Sequence, residues 1–423
     1  MQNNPVEISE TESGIPVITE KVPGASAGFL VAVRTGSRDE HEGIGGISHL
    51  LEHTVFRETR NMDSFEMAKV MEGAGGELNA FTGKEMTAFY GITLAETGDV
   101  AMRMVADIVS NPLLSEKDTE LEKAIVLQEL SMIKSEPETY IHDLFEERLW
   151  TGDPLGWDEG GEEEVVEGLT YEDLRAYYTE RYGRPNLAVF ATGEFDRNAV
   201  SAWAEDSFKD MEVAYRPSRK VPAMPGARYS VEPNQTDHVQ IALGFPTAAK
   251  DGHERDSLSV LASVLGGGTS SRLFQQVREK NALVYSIYGT ASSYSDAGYI
   301  ASIMSCTAKN VSKARDETIS VIRDFLREGL EKDELQRTKN MLKGAFSRSA
   351  ETTDNRIYRL CRNYMTYGTA RGTQATLDGI SSVTEEDVMK AAEKYLRADR
   401  LNLTVLGKVG KKDRDYELSS ADL

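Results

Sequence analysis

The chain has 423 residues, 40% hydrophobic and 28% charged, and its 69 Asp plus Glu against 48 Lys plus Arg leave a formal net charge of −21. That length suffices for two or three packing units with substantial cores, and so acidic a balance excludes nucleic acid as a main partner, because phosphate binding needs clustered positive charge. Two cysteines, Cys306 and Cys361, cannot make a disulfide framework.

No run approaches the roughly 20 apolar residues of a membrane helix, so no membrane partner is expected. The opening residues lack the basic and apolar regions of a secretory signal. A cytoplasmic setting is the expectation.

In chain order, 28–33 and 86–92 are β-rich runs bounded by turn formers, which predicts strands. Between them, helices are predicted after Gly45-Gly46 and over 63–72, where Gly73 and Gly75 stop the second. A long helical region follows over 115–150, interrupted near Pro137. Another helix over 171–182 and a strand over 186–192 close the first half. Pro217, Pro222, Pro225 and Gly226 then mark an aperiodic segment, which reads as an interdomain linker.

Beyond it the order of elements repeats. Thr170-Tyr171-Glu172-Asp173-Leu174 recurs as Thr384-Glu385-Glu386-Asp387-Val388, and Leu187-Ala188-Val189-Phe190 as Leu401-Asn402-Leu403-Thr404, both offset by 214 residues (384 − 170 and 401 − 187). Glu116-Lys117-Asp118 has its counterpart near the same offset in Glu331-Lys332-Asp333. Matches in one order at nearly one spacing indicate duplication. The expected fold class is α+β: two homologous α/β sandwich halves, each a sheet covered by helices. The boundaries expected are 1–212, a linker over 213–230, and 231–423.

The sharpest local signal is Gly45-Gly46-Ile47-Ser48-His49-Leu50-Leu51-Glu52-His53. Histidines four apart lie about 40° apart on one helix face, with Glu52 on the flank. Two neutral imidazoles suit Zn²⁺, and an adjacent carboxylate can act as general base toward water. His-x-x-Glu-His is the inverted form of the zinc-peptidase spacing, and chance would supply it in on the order of 0.01 chains of this composition. Leu50 and Leu51 beside the histidines mark a partly buried helix, where unpaired imidazoles would be costly.

A catalytic zinc takes three protein ligands and keeps one position open. Glu122 and Glu129 are seven apart on one helix, hence on one face; one can coordinate while the other supports a histidine.

The set His49-Leu50-Leu51-Glu52-His53, Glu122 and Glu129 resembles the pitrilysin/insulinase family of inverted zinc peptidases, with a length similar to its mitochondrial processing peptidase branch. The resemblance covers nearly the whole chain, and the fold it implies is one half of a clamshell. It implies one Zn²⁺ per chain held by His49, His53 and Glu129, Glu52 as general base, and Glu122 as the supporting carboxylate. Gly75-Gly76-Glu77-Leu78-Asn79-Ala80-Phe81-Thr82 resembles the family's segment that takes substrate as an added strand, with Asn79, Ala80 and Phe81 contacting it. An exposed strand edge reads an extended peptide through its backbone.

Arg278 and Tyr285, seven apart, resemble the family's pair that holds the substrate and the developing oxyanion. The second half has no metal set, since the shifted positions are Ser263, Gly267 and Lys343. One chain that carries both the metal motif and the Arg–Tyr pair implies a homodimer with composite sites, or a heterodimer with a degenerate homologue. The activity implied is endoproteolysis of short or unfolded peptides in an enclosed chamber. A noncatalytic scaffold subunit of the same fold is the other reading, and it is opposed by the completeness of the ligand set.

Where relatives often carry Phe-x-Gly-Thr this chain has Phe56-Arg57-Glu58-Thr59, so a changed loop is expected there. His41, His142, His238 and His253 lack partners at ligand spacing.

Overall fold

The computed structural model describes residues 5–236, 238–248 and 251–418. They form two compact units. The first comprises the chain up to Ser131, Trp157–Lys220 and Ser347–Thr376; the second comprises Met132–Gly156, Val221–Phe346 and the chain from Leu377 on. Both units are thus discontinuous, unlike the continuous blocks 1–212 and 231–423 expected from the repeat.

The first unit is built on a six-stranded sheet: β1 (Val6–Glu10), β2 (Pro16–Lys21), β3 (Ser26–Val33), β4 (Glu77–Thr82), β5 (Thr87–Leu94) and β6 (Leu187–Gly193), in the order β1-β2-β6-β3-β5-β4. β2 and β6 run parallel, and the other pairs are antiparallel. In β3, Phe29, Val31 and Val33 enter one core, while Leu30 and Ala32 enter another on the opposite face. A sheet covered on both faces needs strands that are apolar throughout, which explains the unbroken run at 28–33. Helix Gly98–Ser110 supplies Met104, Val105 and Ile108 to the first face. Helix Thr353–Tyr367 covers the second with Ile357, Leu360 and Cys361. Beneath that helix, Arg359 donates to the fully buried Glu20 at 2.5 Å.

The second unit holds β7 (Arg228–Glu232), β8 (His238–Thr247), β9 (Ser286–Ser293), β10 (Gly298–Thr307) and β11 (Asn402–Leu406), in the order β7-β11-β8-β10-β9. The pairing senses repeat those of β2-β6-β3-β5-β4: one parallel pair, β7 with β11, then antiparallel pairs. Helices Gly252–Gly266, Val311–Glu328 and Glu385–Tyr395 cover one face. Helix Pro137–Leu149 covers the other through Ile141, Leu144 and Phe145.

The duplication also reaches helix caps. Thr170 with Asp173 and Thr384 with Asp387 close matching capping boxes, in which the hydroxyl accepts from the third N–H and the carboxylate from the cap N–H. Helices Pro137–Leu149 and Thr353–Tyr367 occupy corresponding places, 216 residues apart (353 − 137). Each packs on the sheet of the other half, and this exchange makes the units discontinuous.

Pro137 opens its helix at a position where the missing N–H costs nothing, so the helical stretch 115–150 is two helices, Glu116–Ser135 and Pro137–Leu149. Among the described residues no helix is long and apolar enough to cross a membrane.

Candidate metal centre

The motif occupies helix Ile47–Val55, whose Ile47, Leu50, Leu51 and Val55 are buried. Its start depends on glycine. Gly46 caps the helix at φ +90, a region that L side chains enter at a cost of about 1–2 kcal/mol. A Cβ there would meet the Gly160 carbonyl oxygen at 2.4 Å, and one on Gly161 would meet that of Gly45 at 2.4 Å. Two glycine pairs therefore pack backbone against backbone under the first turn. Gly46→Ala is expected to lower the unfolding free energy by about 2 kcal/mol, read from urea midpoints; an unchanged midpoint would mean that the loops can part without penalty.

A buried polar chain holds the same turn. The Glu40 carboxylate accepts from the Gly46 N–H at 2.7 Å and the Ser48 N–H at 2.8 Å. Ser48 Oγ lies 2.8 Å from the Tyr177 hydroxyl, itself 2.7 Å from Thr35 Oγ1. Burial pushes the Glu40 carboxyl up to about 8, against the pull of the bonds from Ser48 and Gly46.

The His49 and His53 rings meet edge to face, with centroids 4.6 Å apart and planes at 75°. Helix Glu116–Ser135 brings Glu122 and Glu129 to them. Glu129 Oε2 lies 3.5 Å from His53 Nε2 and 3.9 Å from His49 Nε2. Two ligands about 2.05 Å from a tetrahedral zinc stand roughly 3.4 Å apart, and the two carboxylate–imidazole distances lie close to that. The ligand atoms of His49, His53 and Glu129 all lie within 4.8 Å of one another, the only such group of three among the described residues.

Glu122 supports this group. Its Oε2 is 3.0 Å from His53 Nδ1, and its Oε1 accepts from Arg57. Burial opposes its charge, but those two partners outweigh burial and hold its carboxyl below the usual range. The His53 imidazole is lowered by burial and raised more by the bond to Glu122 and by the carboxylates of Glu52, Glu122 and Glu129. Burial, then the His53 charge, drives His49 down to about 4, so its ring is neutral at pH 7, as a metal ligand must be. His49 Nδ1 is buried without a hydrogen-bond partner among the described residues.

Glu52 sits beside the histidines, and the Thr82 hydroxyl donates to its Oε2 at 2.6 Å. Burial raises its carboxyl above the usual range, partly offset by Thr82 and His53. Thr82 ends β4, the edge strand of its sheet. Leu78 and Ala80 face the core shared with the motif helix, while Phe81 turns to the opposite face and packs on Tyr358 at 5.1 Å between centroids. Asn79 Oδ1 accepts from the Ala80 N–H at 2.8 Å.

Arg278 and Tyr285 belong to the second unit. Arg278 lies in a π-helical turn, Phe274–Lys280, with its guanidinium 4.6 Å from the centre of the Phe274 ring. Tyr285 is 72% exposed just before β9, and its N–H bonds the Ser305 carbonyl at 2.7 Å.

Glu58 adopts no positive φ, and its turn closes through a bridge to Asp63. His142 bonds the Tyr288 hydroxyl at 2.7 Å, and His253 pairs with Asp387 at 3.1 Å. Arg57, Thr82 and Glu40 take part in the site through contacts that the sequence pattern does not assign. Arg57 lies four residues after His53, Thr82 ends β4 and Glu40 lies nine residues before His49, but no spacing rule ties such positions to the site.

The profile described as Insulinase (Peptidase family M16) matches residues 16–158, and that described as Peptidase M16 inactive domain matches 168–342. An uncharacterized zinc protease of Mycobacterium bovis is 33% identical over 405 residues, covering 94% of this chain and 92% of its own. The chain belongs to peptidase family M16, the insulinase family. A second relative, an uncharacterized zinc protease of Streptomyces coelicolor, is 31% identical over 93% of this chain and 88% of its own.

The M16 fold is matched by two crystal structures. A protease from Helicobacter pylori has a TM-score of 0.87 at 20% identity, over 95% of this chain and 99% of its own. A peptidase M16 inactive domain from Pseudomonas fluorescens also has 0.87, at 19% identity, over 96% and 98%. In this M16 chain the three clustered donors fall within residues 16–158, or within its own first unit, and Arg278 and Tyr285 within 168–342.

Proposed function

We propose that the chain is a zinc-dependent endopeptidase that cleaves short or unfolded peptides. The observation that carries this is the convergence of His49, His53 and Glu129 from two helices, with the Glu52 carboxylate beside them. M16 membership and the name zinc protease borne by relatives over nearly their full length support it. His49, His53 and Glu129 would hold one Zn²⁺, which when bound supplies a Lewis acid for the scissile carbonyl and acidifies water.

The chain's own groups do the rest. Glu52, fixed by Thr82, takes a proton from the attacking water and later returns it to the leaving amine. Glu122 keeps the His53 ring oriented through Nδ1. The free edge of β4 aligns an extended peptide by backbone pairing, so little sequence is demanded of it. Arg278 and Tyr285 of a second copy would donate to the charge that develops on the carbonyl oxygen. The presence of both sets in one chain supports a homodimer whose chamber excludes folded proteins by size.

The test is metal analysis of the purified protein together with hydrolysis of a mixed peptide library. One zinc per chain is expected, with cleavage abolished by a chelator and restored by about one equivalent of zinc. A metal-free protein that hydrolyses the library equally well would overturn the proposal.

A further inference from the structure

His53 and His49 are supported unequally. The imidazole of His53 is held from behind by Glu122 at 3.0 Å, whereas His49 Nδ1 is buried without a partner among the described residues. A ligand histidine normally has its second nitrogen bonded, and that bond fixes the ring. His49 must be aimed by something else.

A strong polar restraint next to it acts on its backbone. Glu40, 6% exposed, spans the two N–H groups at Gly46 and Ser48 with its two carboxylate oxygens, at 2.7 and 2.8 Å. Gly46 has no side chain to cap the helix, so the Glu40 carboxyl, from outside the helix, performs that role by accepting from its first N–H groups. Ser48 is tied onward through Tyr177 to Thr35 on the chain after β3. His49 is the next residue. The first turn is therefore fixed in place and rotation, and a side chain leaving it inherits that pose.

We propose that Glu40 is a positioning residue that aims His49 through the backbone of the motif helix, as Glu122 aims His53 through its ring. This rests on the zinc-site reading above. It predicts that loss of the Glu40 grip weakens zinc binding with no ligand altered. Glu40→Gln keeps the shape but sets an amide N–H₂ against one of the two N–H donors.

The measurement is zinc affinity of the apo-protein by competition with a chromophoric chelator, with Glu122→Gln alongside and apo thermal midpoints recorded for each variant. Both variants are expected to bind zinc about 10- to 100-fold more weakly than the unmodified chain. The visible absorption of the cobalt-substituted Glu40→Gln protein should change in position or intensity, since the geometry around the ion changes. If Glu40→Gln lowers the apo midpoint but binds zinc within about twofold of the unmodified chain, its role is stability alone and the proposal is overturned.

If that variant does not fold, Glu40→Asp serves, because it keeps the carboxyl group but shortens its reach to the Gly46 and Ser48 N–H groups. It should weaken zinc binding about three- to tenfold, and an unchanged affinity overturns the proposal. An unmodified chain that binds no zinc would instead remove the site itself, and with it both readings. That outcome is distinct from an intact site indifferent to Glu40.

Discussion

Glu52→Gln is expected to reduce kcat/KM for peptide hydrolysis by about 10³-fold, near 4 kcal/mol of transition-state stabilisation, while one zinc per chain stays bound. The amide has the same volume, and its carbonyl oxygen can still accept from Thr82, so the helix and the imidazoles on it keep their places. What is lost is the capacity to take a proton. A glutamate held by Thr82 beside His53 is placed to perform that task. Rates and metal content must be measured on one preparation, because the expected pattern is inactivity with zinc present. Near-native hydrolysis by a zinc-loaded Glu52→Gln protein would assign the base elsewhere, and the inverted motif would then be only a metal clip.

Much of this centre was legible in the sequence because its signals are local. His49 and His53 share a face through helical spacing alone, and Glu122 and Glu129 lie two turns apart on another helix. The duplication was legible for a similar reason: the capping boxes at Thr170 and Thr384 are four-residue chemistry that survives wherever the helix starts that way. The exchange of helices Pro137–Leu149 and Thr353–Tyr367 was not legible. Both carry apolar residues at helical spacing, and a hydrophobic face does not say which sheet will cover it. The orientation of Phe81 was hidden likewise. An edge strand has two faces, and a one-residue change of register exchanges them; here Thr82 takes the side of Glu52, and Phe81 the side of Tyr358. Glu40 read as one acid among 69 Asp plus Glu, and nothing on a linear chain distinguishes a solvated carboxylate from one that grips a helix.

A homodimer with composite sites, as proposed above, has a quantitative consequence. Glu52→Gln and Arg278→Ala homodimers should each be nearly inactive, the first lacking its base and the second a donor to the developing oxyanion. Exchange of subunits in an equal mixture puts about half of the chains into mixed dimers with two-fold pairing. In a mixed dimer one site combines both defects. The other combines an intact Glu52 from one subunit with an intact Arg278 from its partner. One restored site in half of the dimers corresponds to about a quarter of the unmodified activity, a large rise over either parent. The mixture has to be checked for mixed dimers, for example by differently tagged subunits purified in tandem, and the tandem-purified fraction should approach about half. Tyr285→Phe should substitute for Arg278→Ala with a milder parental defect, because it removes one donor and leaves the guanidinium. If confirmed mixed dimers recover no activity, the two groups do not serve one site across the interface, and each chain must complete its own centre.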